Sequence, residues 1–120
     1  MSDLDALVAV LVAGGVQRAY KLGSVPASPA YPYAVLTLAP GAPVVRDLGG
    51  SGDPMGRFAV QHFSRSQDAL VDIADRSFAT FDGQALPLPG EPVCWQEVTS
   101  SIYRDPDDNG VLSVTQTYRF

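Results

Sequence analysis

Apolar positions in this chain change their period several times, and each change marks an element. Leu4, Leu7, Val8, Leu11 and Val12 recur at helical spacing and predict a helix over about residues 3–13. Ser2 is placed to cap it, Asp5 suits the positive end of its dipole, and Gly14-Gly15 is a stop signal. Residues 15–32 carry Val25-Pro26, Ser28-Pro29 and Pro32, which suits an extended, edge-like connection rather than a helix or central strand. Tyr33 to Ala39 then alternates as a strand, with Ala34, Leu36 and Leu38 on one face and Tyr33, Val35 and Thr37 on the other.

The period returns to two at Arg57 to Phe63, which predicts a second strand. It then switches to a helix over about 66–81, opened by the serine corner Ser64-Arg65-Ser66-Gln67. On that helix Leu70, Val71, Ile73, Ala74, Phe78 and Phe81 fall in one arc, opposite Asp68, Asp72 and Asp75. Asp82-Gly83 supplies its C-terminal cap. Val93 to Tyr103 reads as one long strand with Cys94, Val98 and Ile102 on one face. The turn Asp105-Pro106-Asp107-Asp108-Asn109-Gly110 reverses the chain into a last strand over 111–120. The order is helix, strand, strand, helix, strand, strand. It predicts an α+β fold of two layers, a four-stranded, mostly antiparallel sheet with both helices on one face. The other face would carry Tyr33, Val35, Thr37, Trp95, Tyr103, Thr115 and Thr117, a mixture suited to contact with another subunit.

Between the first two predicted strands lies a loop at about 40–56 with five glycines and three prolines, longer than a hairpin needs. Such a segment is expected to order only against a partner. At 120 residues and 46% hydrophobic content the chain suits one domain over 1–120. The net charge is -5, with a single lysine. That composition disfavours binding of a nucleic-acid backbone, so sequence-specific nucleic-acid recognition is not expected. The charge is uneven: residues 1–60 hold four acids and four bases, residues 61–120 nine acids and four bases. The lone Cys94 fits a reducing compartment, and the apolar run from Ala6 to Ala13 is too short for a membrane span.

Candidate chemistry is sparse. Asp105-x-Asp107-x-Asn109-Gly110 matches the first half of a calcium loop, yet its twelfth position is Gln116 inside a predicted strand, which favours a plain hairpin turn. His62 is the only histidine and has no recognisable nucleophile motif around it, so a structural hydrogen bond is its expected role. Gly49-Gly50-Ser51-Gly52 lacks the spacing and the following helix of a phosphate loop. No cofactor, metal or catalytic set is expected. By residue chemistry alone, the stripe of Asp68, Asp72 and Asp75 is a solvated helix face.

Several stretches together resemble the tail terminator proteins of long-tailed phages, also described as minor tail or tail completion proteins. They are Arg18-Ala19-Tyr20 with Val25-Pro26, Pro32 to Leu36, Phe58 to Phe63 running into Ser66 to Phe81, and the hairpin around Asp105 to Gly110. The resemblance covers nearly the whole chain and lies in the order and spacing of elements. It implies a non-enzymatic virion protein, assembled in the host cytoplasm as a homo-oligomeric ring, typically a hexamer, on the tail tube protein. The ring would end tail growth and meet a head-completion or connector protein. Arg46, Asp47 and Asp53 of the loop, Arg57 at its exit, and Trp95 and Tyr103 of the open sheet face are the expected interface residues. Asp68, Asp72 and Asp75, with Asp105, Asp107 and Asp108, are expected to line the ring lumen, where like charge lets DNA pass without adhering. A neighbouring neck or head-closure protein, or a small-molecule binding module, are the alternative readings.

Overall fold

The computed structural model describes residues 3–39, 56–88, 90–107 and 110–120. Ser2, the predicted loop up to Met55, with Arg46, Asp47 and Asp53, and Asp108 of the turn lie outside the described residues. The elements are α1 (Asp3–Ala13), β1 (Ala19–Lys21), β2 (Tyr33–Ala39), β3 (Arg57–Ser64), α2 (Gln67–Phe81), β4 (Trp95–Thr99), β5 (Tyr103–Arg104) and β6 (Leu112–Arg119). They form the expected α+β arrangement, but the sheet has six strands rather than four. Its order is β1-β2-β3-β6-β4, and β5 also pairs with β6. All pairings are antiparallel except β1 with β2.

The two extra strands have separate causes. The 15–32 connection contributes β1, because Ala19, Tyr20 and Lys21 precede its first proline and keep their amides free to run beside Ala34, Val35 and Leu36. The single strand expected over 93–103 is broken at residues 100–102 into β4 and β5, between which the register against β6 shifts, and β4 itself carries a bulge between Gln96 and Val98, where Glu97 has no partner of its own. The extra residue also turns Val98 to the open face. Cys94 is fully buried, whereas Val98 and Ile102, expected on the same side, are exposed.

Register places Ala34, Leu36, Phe58, Val60, His62, Val114, Gln116 and Tyr118 on one face, and all are buried. Both helices cover this face: Leu7 and Leu11 of α1 and Phe81 of α2 share one core with Ala34, Leu36, Phe58, Val60 and Tyr118. Phe58 stacks on Tyr118 at 5.2 Å and meets Phe81 edge-on at 4.9 Å. In α1 the packed stripe includes Val10, while Val12 is exposed, so the buried arc is shifted from the expected one.

Ser66 caps α2, its side chain accepting from the Ala69 amide at 3.3 Å, while Ser64 Oγ accepts from the Ser66 amide at 3.1 Å. At the other end the Asp82 amide donates to Phe78 O and Gly83 takes φ +73°, as the Asp-Gly pair predicts. The inward residues of α2 are Leu70, Ile73, Ser77 and Phe81. Val71 and Phe78, expected in the apolar arc, are exposed. They lie far enough around the helix that one sheet cannot bury them together with Ile73.

Polar groups pin α2 to the sheet. His62 sits between Val114 O, at 3.3 Å from Nδ1, and Ser77 Oγ, at 2.7 Å from Nε2. A carbonyl can only accept, so Nδ1 carries the proton and Nε2 accepts from the Ser77 hydroxyl. Gln116 Nε2 donates to Ala74 O at 3.1 Å, and Tyr118 donates to Gln116 Oε1 at 3.1 Å. Burial pushes the Tyr118 hydroxyl well above its usual range.

Two outcomes test this packing. Desolvation lowers the pKa of His62 from 6.5 to about 4, so the fold holds the ring neutral. Above pH 6.5 neither state is protonated there and the stability is complete; as pH falls, the unfolded chain takes up the proton first and stability is lost. Chemical denaturation at pH 7 and pH 5 should differ by about 2 kcal/mol more for the natural protein than for His62→Gln. Equal slopes in the two proteins would refute the assignment. The second concerns Gly14, where an added Cβ would run into the Thr80 side chain, whose hydroxyl is held by Arg76 O at 2.7 Å. Gly14→Ala should therefore lower stability by about 1–3 kcal/mol, read as a fall in Tm, despite alanine's better helix propensity.

Candidate functional site

The sheet face away from the helices carries Tyr33, Val35 and Thr37 of β2, Arg57, Ala59, Gln61 and Phe63 of β3, and Ser113, Thr115, Thr117 and Arg119 of β6. Register adds Trp95 and Val98 of β4 and Tyr103 of β5. All seven residues expected on the open face are therefore there.

The two halves of this face differ. Near β1 and β2 the aromatic groups cover one another: Tyr33 stacks on Phe63 at 4.8 Å, with Tyr31 at 5.4 Å and Tyr20 at 6.2 Å from it. The Arg65 guanidinium lies 5.1 Å over the Tyr31 ring. Val35 is buried among them, and burial, with the neighbouring Tyr31 and Tyr20, raises the pKa of Tyr33. The β4–β5 half has no such cover. Trp95 is 52% exposed, Val98 56% and Tyr103 58%, with Val93 and Ile102 exposed beside them. Exposed apolar residues gathered on a sheet edge mark an interaction surface.

Charges are placed around this patch by the bulge. Glu97 reaches back across β6 to Arg57, whose Nη2 donates to Glu97 Oε2 at 3.2 Å. The Nε–Oε1 approach of 3.0 Å is misaligned for a hydrogen bond, so the Nη2 bond is the directional part of the pair. Arg57, expected at the interface, is thus engaged within the subunit at the margin of the patch. Asp82 accepts from the Gln96 amide at 2.8 Å at the same edge.

The predicted acidic stripe divides. Asp72 is paired with Arg76 Nε at 3.0 Å and lines a cleft of about 270 Å³ between the α1 turn and α2. Gly15, Val16, Gln17, Arg18, Pro32 and Ile73 complete that cleft. Gly15 has φ +107°, a left-handed conformation that favours glycine, and Arg76 Nη1 lies 2.8 Å from where a Cβ would be. Asp68 and Asp75 are exposed on the outer face of α2. In the turn, Asp105 Oδ1 accepts from the Asp107 amide at 2.9 Å, the aspartate-to-backbone bond expected of it.

Among the described residues the histidine and the cysteine, the groups most suited to acid–base or nucleophilic chemistry, are buried. His62 and Ser77 are within hydrogen-bond distance, yet both are completely buried and reach no substrate. Burial pushes the Cys94 thiol up to about 12, with Asp82 adding to the shift, so it is unreactive. Among the described residues no group of three or more His, Cys, Asp or Glu side chains could hold a metal ion, and no helix is long and apolar enough to cross a membrane.

Sequence reasoning missed three features of this surface. Ser77 was detectable, because it is the polar member of the series Leu70, Ile73, Ser77, Phe81. The Arg57–Glu97 pair and the Arg18 cleft carried no local signal, since each joins residues far apart in the chain.

No protein-family model and no curated protein matches this sequence. Among solved structures, the chain is similar to a chain of the "Virion of native gene transfer agent (GTA) particle", with a TM-score of 0.65 and 18% identity. The match covers 98% of this chain and 86% of that one. At that level of identity the likeness shows a shared fold, and it extends over both helices and the whole sheet.

Proposed function

We propose that this chain is a structural virion protein of a phage or phage-like particle. It caps the tail tube as a homohexameric ring, ends tail growth and forms the joint with the head connector. The observation that carries this reading is the fold shared over 98% of the chain with a component of the gene transfer agent virion. The element order that resembles tail terminators supports the finer assignment. So does the uncovered apolar edge formed by Trp95, Val98, Ile102 and Tyr103, which suits a protein that works in an assembly. The inert His62–Ser77 pair and the unreactive Cys94 agree with a structural role.

The reading is tested by deleting the gene from the particle that encodes it and measuring tails by electron microscopy. Loss of a terminator should give tails of uncontrolled length that carry no heads, restored by the protein supplied in trans. Tails of normal length that fail to join heads would instead assign the chain to the neck, and normal particles would overturn both assignments.

A further inference from the structure

Exposed apolar side chains are distributed to two opposite edges of this subunit. Among the described residues nine large hydrophobics are exposed. Five of them, Val93, Trp95, Val98, Ile102 and Tyr103, belong to the β4–β5 edge. Val71 and Phe78 join them. On α2 they lie within about 60° of Ala74, whose carbonyl accepts from Gln116 of β6, so they face the same side. The remaining two, Val12 and Leu22, are at the other end of the sheet, where α1 packs over β1 and β2. With the order β1-β2-β3-β6-β4 these edges lie about 20 Å apart across the sheet.

The charges divide in the same way. Around the apolar edge stand Asp68, Asp75, Asp82, Asp105 and Asp107, offset in part by Arg104 and Arg119. At the α1–β1 edge Lys21 pairs with Asp5 at 3.1 Å and Arg76 with Asp72, and Arg18 stands outside these pairs. Arg18 is exposed at the mouth of the 270 Å³ cleft, with no ion-pair partner among the described residues. A guanidinium beside a concave, polar seat is suited to receive a carboxylate.

We infer that the two edges fit each other between copies: the apolar β4–β5 edge of one subunit, with the Val71–Phe78 flank of α2, packs against the α1–β1 edge of the next. There Val12 and Leu22 meet the apolar patch, and Arg18 meets its acidic rim. The occupant of the exposed edge is thus a second copy of this chain, for which the opposite edge supplies both the matching apolar pair and the opposite charge. The contact is heterologous, since the two surfaces differ, and repeated contacts of this kind close into a ring or extend into a filament. This deepens the ring reading by naming its joint. It also moves Asp68 and Asp75 from a channel wall to the rim of that joint, because half-exposed valine and phenylalanine beside them suit a packed contact better than a wet channel.

The experiment uses two variants of the purified protein, each altered at an exposed residue. Val98→Asp spoils the apolar edge; Arg18→Glu spoils the receiving edge. Circular dichroism should show both folded as the natural protein is. In sedimentation velocity the natural protein should associate beyond the dimer as concentration rises, and each variant alone should associate at least tenfold more weakly. Mixed one to one, the variants should form a dimer and nothing larger, since only one intact edge of each kind remains. Self-association of Arg18→Glu at natural strength would show instead a twofold contact through the β4–β5 edge alone. That result, a mixture that stays monomeric, or a natural protein monomeric at its solubility limit would overturn the inference. The tail phenotype does not enter this measurement, so failure of the joint and failure of the tail-cap reading are distinguishable.

Discussion

The seat of α2 on the β3–β6 pair is the constraint from which the other placements follow, and it combines two kinds of contact. Phe58, Phe81 and Tyr118 supply the apolar area, with ring centroids 4.9 to 5.4 Å apart. Aromatic packing of this kind tolerates some sliding, whereas directional bonds do not. His62 to Ser77 and Gln116 to Ala74 O therefore set the position of the helix along and around its axis. Once Ser77 is turned inward, Leu70, Ile73 and Phe81 are buried, and Val71 and Phe78 must lie on the flank. The exposed surface of α2 is a consequence of how its buried side is pinned.

Most of this was legible in the sequence wherever a single period governed a stretch. The alternation in Tyr33–Ala39 put Ala34 and Leu36 on the buried face and Tyr33, Val35 and Thr37 on the other, and the burial of β3 alternates without exception. The caps of α2 were legible as well, because Ser66 and Asp82-Gly83 act on backbone groups a few residues away. Reading failed where a local choice was settled by a distant partner. Glu97 looks like one more residue of a long strand, and only its pairing with β6 shows that it is extra. β1 is three residues that no pattern marks as a strand until β2 is present beside them. Val71 was grouped with the core since its spacing permits it, but a flat sheet buries a narrower arc of a helix than hydrophobicity alone suggests.

The candidate site was half legible for a related reason. Its residue types are visible as Trp95, Val98 and Tyr103, and their common face follows from pairing with Arg119, Thr117 and Ser113. What the sequence could not show is that the aromatic groups at the other end of the same face cover themselves. Tyr20, Tyr31, Tyr33 and Phe63 come from three separate segments, and only the β1-β2-β3 order brings them together. Their mutual packing narrows the exposed surface from a whole sheet face to one edge of it.

An exposed edge of this composition is a hazard for a protein that works alone, because unpaired backbone groups and apolar side chains invite indiscriminate pairing. This chain limits that hazard through the bulge at Glu97, which interrupts the ladder, and through the surrounding aspartates, which repel other copies of the same edge. Such repulsion acts against an edge meeting its own kind but not against a surface carrying the opposite charge. The acid excess of the second half of the chain thereby works as a selector, since it discourages the symmetric encounter of two such edges.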